Sequence, residues 1–516
     1  MKYLKERVVV VCIFTLILLI GIKYCNDKNG YYLDEVYTYI LSNSEYAPWI
    51  VDIKDGNITN TVISQQELFD VVTVGESDRF NFKSVYYNQT KDVHPPLYYF
   101  FIHVISSIFA NSFSKWIGLG FNLTVYAATL FLLYQIVNRF FGSREQAVLI
   151  TAIYGLSNIG LSTLMFIRMY MLLTFFTLLL AYFILSHMQS PQPKLYVAIA
   201  ITIFCGMLTQ YYFVIYAFLV CFSYDIYLLV CKKYKELLTF SVSALSGVIV
   251  MILLSPHFIT QLSLQETVSM DKTVHNAQAV DKWLSRIVLM SSEVEKDIHI
   301  VIFVIVLLVL GVVSASIKRK CDVQRYAKLL VVIVPSFVAY IVICIIAPYV
   351  TNRYVYHLIP VMLLALGFLL CLQPEIVKRK MFNYCAIGIV VLISVYFLRD
   401  VKPDYVYDHS EFNYEIAEHS EAPCIFITEN ETPAISCALP QLLNFDEILI
   451  VDETNLKMVE TFMKKYPENM EIIIFTANAY TKVNPEDIFA TLQLQGYNQN
   501  RHIYENEFVS AYILQK

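Results

Sequence analysis

The sequence predicts a polytopic α-helical membrane protein of about eleven spans, followed by an extracytoplasmic C-terminal α/β domain. Three observations predict it. First, 57% of the 516 residues are hydrophobic and only 16% are charged, against about 45–50% and about 25% in soluble domains. Second, the apolar residues fall in runs of roughly 17–22, each long enough to cross a ~30 Å hydrocarbon core. Third, the formal charge of −5 is split: residues 401–516 hold 7 Lys/Arg and 19 Asp/Glu, a net of −12, leaving +7 on the first 400 residues. A disordered chain, a disulfide mini-protein and an ordinary cytosolic enzyme are excluded. The acidic tail and mildly basic body also argue against a nucleic-acid partner.

The first run, Val8 to Tyr24, follows Lys2, Lys5 and Arg7. No small-residue cleavage site follows it, so it reads as an uncleaved span with the N-terminus inside. Further runs lie at 116–137, 146–164, 169–187, 195–210, 212–230, 239–257, 298–317, 329–349, 354–373 and 381–399. Basic residues at Lys232-Lys233-Lys235, Lys318-Arg319-Lys320 and Lys378-Arg379-Lys380 mark cytoplasmic loops. Alternation then puts Arg139 and Arg144 inside and the segment before Lys115 outside. The apolar stretch 95–112 therefore reads as a re-entrant or interfacial helix on the outer side. This places at the outer face a first loop (25–94), the turns Ile167–Met169, Gln210–Tyr211 and Val350–Arg353, a loop at 256–297, and the tail.

The division is thus a transmembrane domain over 1–400, with its first outer loop at 25–94, and an accessory domain over 401–516. Short apolar strands are expected at Cys424–Thr428, Ile448–Val451, Glu471–Thr476 and Phe508–Leu514, with helices at Asn455–Tyr466 and Asn484–Gln495. The tail has no Gly-rich phosphate loop, metal cluster or nucleophile elbow. Its two cysteines, Cys424 and Cys437, are compatible with a disulfide or with free thiols.

Candidate chemistry lies at the outer face. Asp34-Glu35 stands about ten residues past a membrane exit among Tyr31, Tyr32 and Tyr37, where aromatics favour the interface. A carboxylate there is partly desolvated, which suits a general base. Asp92-Val93-His94-Pro95-Pro96-Leu97-Tyr98 opens a helix whose N-terminus favours an anion, with an imidazole beside it. Arg168 and Arg353 sit at outer span ends, where a charge calls for an anionic partner; guanidinium binds phosphate bidentately. Snorkelling of both arginines to lipid headgroups is the plainer alternative. Tyr170, Gln210 and Tyr211 are further candidate cavity-lining residues, and His257 and Glu266 candidate extra contacts.

These motifs resemble glycosyltransferase family 39 of the GT-C superfamily, which includes protein O-mannosyltransferases and lipid A aminoarabinose transferases. The resemblance rests on Asp34-Glu35, on the Asp92–Leu97 string, and on Arg168, Tyr170 and Leu172. It implies a polyprenyl-phosphate sugar donor, an outer-face active site and inversion at the anomeric carbon. It makes Asp34 the general base, with Glu35 binding the acceptor or supporting Asp34. It puts His94 near the donor phosphate and Arg168 on it; Arg353 joins them on topology. The aminoarabinose transferases carry Lys where His94 stands. The O-mannosyltransferases carry a mid-chain luminal repeat domain, for which 256–297 is too short. The tail resembles that of bacterial members, which implies a bacterial plasma membrane.

No metal is obligatory in this reading, although a divalent ion would suit the chemistry. The acceptor (glycan, lipid or protein) and the sugar stay open. So do two other readings: a lipid-linked sugar flippase and a membrane-anchored assembly protein.

Overall fold

The computed structural model describes residues 2–256, 268–294, 327–371, 380–429, 432–452, 454–467, 470–479, 483–494 and 496–516. The expected span 298–317 and the candidate contacts His257 and Glu266 lie outside them. The chain divides into two compact units, one of residues 1–26 and 119–404, the other of 27–118 and 405–516.

The first unit is helical, and the chain is a multi-pass membrane protein. Among the described residues five helices are long and apolar enough to cross a bilayer: Arg7–Asp27, Lys115–Phe140, Tyr170–Gln189, Phe213–Val230 and Tyr234–Leu254. Expected spans at 195–210, 329–349, 354–373 and 381–399 contain shorter apolar helices, Pro193–Thr209, Leu330–Ile346, Tyr356–Cys371 and Tyr384–Arg399. A 17-residue helix rises about 25 Å, just short of a full core.

The run 146–164 is not one straight helix, as its continuous hydrophobicity led us to expect. It breaks into Arg144–Gly155 and Asn158–Met165, bent by 59°. Ser157 causes the break. Its Oγ accepts from Gly160 N at 3.1 Å, capping the second helix, and donates to the Tyr154 carbonyl at 2.7 Å. Tyr126 Oη donates to the Gly155 carbonyl at 2.5 Å. Backbone groups freed by the bend are thus satisfied without water, as a membrane interior requires.

The second unit is built on a six-stranded sheet in the order β1-β3-β2-β4-β6-β5. Its strands are β1 (Thr61–Ser64), β2 (Cys424–Ile427), β3 (Glu447–Val451), β4 (Ile472–Ala477), β5 (Gln499–Glu505) and β6 (Val509–Gln515). The central three are parallel and the flanking ones antiparallel. β2 and β4 are buried along their whole length, so their apolar runs pack on both faces. Val459, Phe462, Ile488 and Leu492 from helices Leu456–Met463 and Glu486–Leu494 cover one face.

Four expected strands appear, within a residue or two. Two were not anticipated. β5 is a polar edge strand with little apolar patterning. β1 comes from the first outer loop and pairs with β3 from Thr61↔Ile450 to Ser64↔Glu447. Loop and tail therefore form a single unit, a grouping that reading residues 401–516 as a domain of their own did not draw. The helix of stretch 95–112 runs Leu97–Ile108. Its 12 residues rise about 18 Å, too little to cross the core alone.

A Cβ built on Gly160 collides with the Tyr154 carbonyl oxygen. Gly160→Ala is expected to lower the detergent-solubilised protein's thermal midpoint by several degrees, whereas Gly120→Ala, where a Cβ meets nothing within 4 Å, leaves it unchanged. Equal midpoints would refute this account of the bend.

Candidate active site

In the second unit, helix Leu33–Asn43 starts with two acids in its first turn, where the helix dipole favours them. The fold separates their roles. Glu35 is fully buried. Its Oε2 accepts from Tyr32 N at 2.7 Å, closing the first turn, and from Lys28 Nζ at 2.9 Å. Lys28 is also fully buried, donates to the Tyr405 carbonyl and lies 5.5 Å from the Tyr407 ring centroid. Glu35 is therefore enclosed in the fold. Asp34, one residue earlier, stays partly exposed.

The string Asp92–Leu97 lies in the same unit. His94 Nδ1 donates to Asp92 Oδ2 at 2.8 Å, with side chains 21% and 11% exposed. This bond sets the tautomer and the ring orientation. Pro95 and Pro96 precede the helix, with Pro96 as its N-cap, so neither removes a needed N–H. The Pro96 carbonyl accepts from Phe100 N at 3.0 Å. Tyr98 is fully buried. His103 Nδ1 donates to the Ser42 carbonyl at 2.8 Å and ties this helix to that of Asp34. Tyr37 lies near both Asp34 and Asp92; burial and those carboxylates push its phenol far above the ordinary value, so it remains a neutral donor.

The membrane unit holds the other candidates. Arg168 is 4% exposed in the turn between helices Asn158–Met165 and Tyr170–Gln189. Asn122 Nδ2 pins that turn by donating to the carbonyls of Leu164 (3.1 Å) and Phe166 (2.7 Å). Phe166 stacks on Tyr170 with centroids 5.5 Å apart. The Arg353 guanidinium lies over the rings of Phe166 (5.8 Å) and Tyr354 (5.6 Å). Tyr212 meets Tyr354 edge-on at 5.5 Å. The turns carrying Arg168, Arg353 and Gln210–Tyr211, separate in sequence, thus converge. Gln210 Oε1 accepts from Tyr211 N at 2.7 Å and caps its own turn. Asp404 accepts from Asn352 Nδ2 (3.2 Å) and Tyr356 Oη (3.3 Å), while its N–H donates to Ser162 Oγ (2.8 Å), holding the Arg353 segment.

Sequence reasoning missed Lys28, Asn122 and Asp404. A polar Asn inside the run 116–137 was the available signal for one of them. Cys424 and Cys437 are free thiols. Among the described residues no three His, Cys, Asp or Glu side chains gather as a metal-holding group.

A family model described as dolichyl-phosphate-mannose-protein mannosyltransferase matches residues 93–259, about a third of the chain. No curated protein matches in sequence. The apo crystal structure of ArnT from Cupriavidus metallidurans is similar over 99% of this chain and 98% of that one, with TM-score 0.50 and 11% identity. The same protein bound to undecaprenyl phosphate gives TM-score 0.48 at 11% identity, covering 98% and 97%. The archaeal oligosaccharyltransferase AglB from Archaeoglobus fulgidus, in complex with an inhibitory peptide and a dolichol-phosphate, gives 0.43 at 11% identity, covering 98% and 74%. The chain shares its fold with ArnT over nearly its whole length, and the family model matched over residues 93–259 agrees with the resemblance drawn from the motifs.

Lys28→Met leaves Glu35 as a buried charge without its cation. It is expected to destabilise the second unit by about 3–5 kcal/mol, read as loss of hydrogen-exchange protection in helix Leu33–Asn43. Wild-type protection would refute the pairing. Burial also lowers the His103 and His409 imidazoles below their usual value, His409 with help from Lys28. A lowered histidine binds its proton more readily when unfolded, so stability is full above the unfolded value of ~6.5 and falls as pH drops below it. The second unit's thermal midpoint should decline below about pH 6.5. His103→Gln should flatten that decline; an unchanged slope would count against the assignment.

Proposed function

We propose that this GT-C chain is an inverting glycosyltransferase that moves a sugar from a polyprenyl-phosphate donor to an acceptor hydroxyl at the outer face of a plasma membrane. The N-terminus is cytoplasmic and the loop–tail unit extracytoplasmic. The observation that carries this reading is the division of the acid pair: Glu35 is bound into the fold by Lys28 and the helix start, while Asp34 remains reachable. The donor class rests on the family model matched over 93–259.

Asp34 takes the proton of the acceptor hydroxyl. The oxygen attacks the anomeric carbon on the face opposite the phosphate, and the C–O bond to phosphate breaks with its electron pair on the leaving oxygen. A phosphomonoester is already a good leaving group, so no general acid is needed. Catalysis then consists of deprotonation, in-line positioning and stabilisation of the departing charge. Arg168 and Arg353 carry that stabilisation, bidentate guanidinium matching phosphate oxygens. His94, oriented by Asp92, lies near that phosphate in this reading. No step is assigned to a metal.

The test is an Asp34→Asn variant returned to a strain lacking the chain. Mass spectrometry of lipid extracts should show one polyprenyl-phosphate sugar accumulating in the deletion strain and cleared by the wild type. Asp34→Asn should clear it at least about 100-fold more slowly while inserting normally. Wild-type clearance by the variant would remove Asp34 as base. No change in any polyprenyl-phosphate sugar on deletion would overturn the donor class.

A further inference from the structure

Three segments distant in sequence meet around Tyr37 within the second unit. The first is the Asp34 helix itself. The second is the 3-10 helix Ile50–Lys54, capped by Trp49, whose N–H donates to Asp52 Oδ2 at 2.9 Å. The third is the tail helix Thr432–Leu442, which follows β2. The helices of Asp34 and of residues 50–54 both pack on this tail helix. Tyr37 and Trp49 meet edge-on, centroids 5.7 Å apart at 87°, and make a right-angled aromatic corner. The Tyr37 phenol lies beside Ser436 and Cys437 of the tail helix and within reach of the fields of Asp34 and Asp92. Cys437 Sγ accepts from Asn506 Nδ2 at 3.3 Å, which ties the tail helix to the segment before β6. Tyr37, Trp49 and Asp34 all stay partly exposed.

We propose that Tyr37 and Trp49, backed by the tail helix at Ser436–Cys437, in which Ser436 is fully buried, form the acceptor-binding wall, and that the acceptor it takes is a neutral saccharide ring. The inference rests on the transfer reading above and adds the acceptor's class and the residues that select it.

A pyranose presents apolar C–H faces and a rim of hydroxyls. The two rings of the corner match the faces, and aromatic side chains combine apolar bodies with polar handles. Asp34 and Asp92 match the rim, since carboxylates only accept and sugar hydroxyls donate. Two carboxylates beside a tail of net charge −12 repel a phosphorylated acceptor. Strand-edge pairing, which holds a peptide through its main chain, has no counterpart in this corner of side chains.

Saturation-transfer NMR on the full-length protein in detergent reads this directly. The probes are methyl α-mannopyranoside, methyl β-glucopyranoside, methyl β-galactopyranoside and methyl N-acetyl-β-glucosaminide, with N-acetyl-Ala-Ser-Ala-amide as the peptide. At least one glycoside should receive transfer at its ring C–H protons. Trp49→Ala should weaken it about tenfold, and Ser436→Ala, which spares the corner, about threefold. Matching thermal midpoints exclude unfolding, and Trp49→Phe stands in if the alanine variant fails that check.

No glycoside signal, signals indifferent to both Trp49 and Ser436, or transfer to the peptide alone would overturn the proposal. Native mass spectrometry with undecaprenyl phosphate separates the two claims. If the wild type binds glycosides through Trp49 but not undecaprenyl phosphate, the transfer reading fails while the saccharide site stands.

Discussion

The second unit depends on one buried ion pair. Lys28 and Glu35 are both fully buried, 2.9 Å apart. Neither charge is tolerable at that depth without the other, so the pair fixes the entry of the first outer loop. Lys28 also reaches the Tyr405 carbonyl, and Tyr32 stacks on Tyr407 at 6.0 Å and 9°. The starts of loop and tail are thereby joined at one point. Adjacent helix residues project about 100° apart. Glu35 is fully buried while Asp34 stays partly exposed. The ion pair thus sets apart two adjacent acids that the sequence presents alike.

The membrane unit meets a different constraint with the same economy. A cationic turn inside an apolar bundle exposes backbone groups that lipid cannot solvate. Asn122 takes two of the carbonyls around Arg168, and Asp404 gathers Asn352, Tyr356 and the Ser162 hydroxyl around the segment of Arg353. These residues touch no substrate in the proposed mechanism. They hold the two guanidinium-bearing turns beside Phe166 and Tyr354.

Much of this was legible in the sequence because a bilayer imposes a coarse grammar. Crossing segments must be long and apolar, so the principal helices appear near their expected positions. The convergence of the turns at Arg168, Gln210 and Arg353 followed from counting alternations. Local polar chemistry was harder to read. Continuous hydrophobicity concealed the break at Ser157, because its signal is a single hydroxyl and a glycine three residues later. Glu35 looked equivalent to Asp34, because the feature that separates them is a lysine seven residues upstream that reads as an ordinary juxtamembrane cation. β1 was invisible because four residues with polar ends gain strand character only from β3, nearly four hundred residues away.

That last pairing changes how the tail should be understood. Taken alone, residues 401–516 look like an accessory module whose removal would leave a catalytic body intact. Yet β1 hydrogen-bonds to β3, Asn60 Nδ2 donates to Asp452 at 3.0 Å, and the Asp34 helix packs on a tail helix. A cut near residue 400 would strip the first loop of its sheet partner and Lys28 of its carbonyl. It would also expose the apolar flank of the helix that carries Asp34. Loss of function after such a truncation says nothing about where the chemistry resides, because the scaffold of that helix is lost with it. Single substitutions at Asp34 and Trp49 test the proposed base and the proposed acceptor wall within an intact unit.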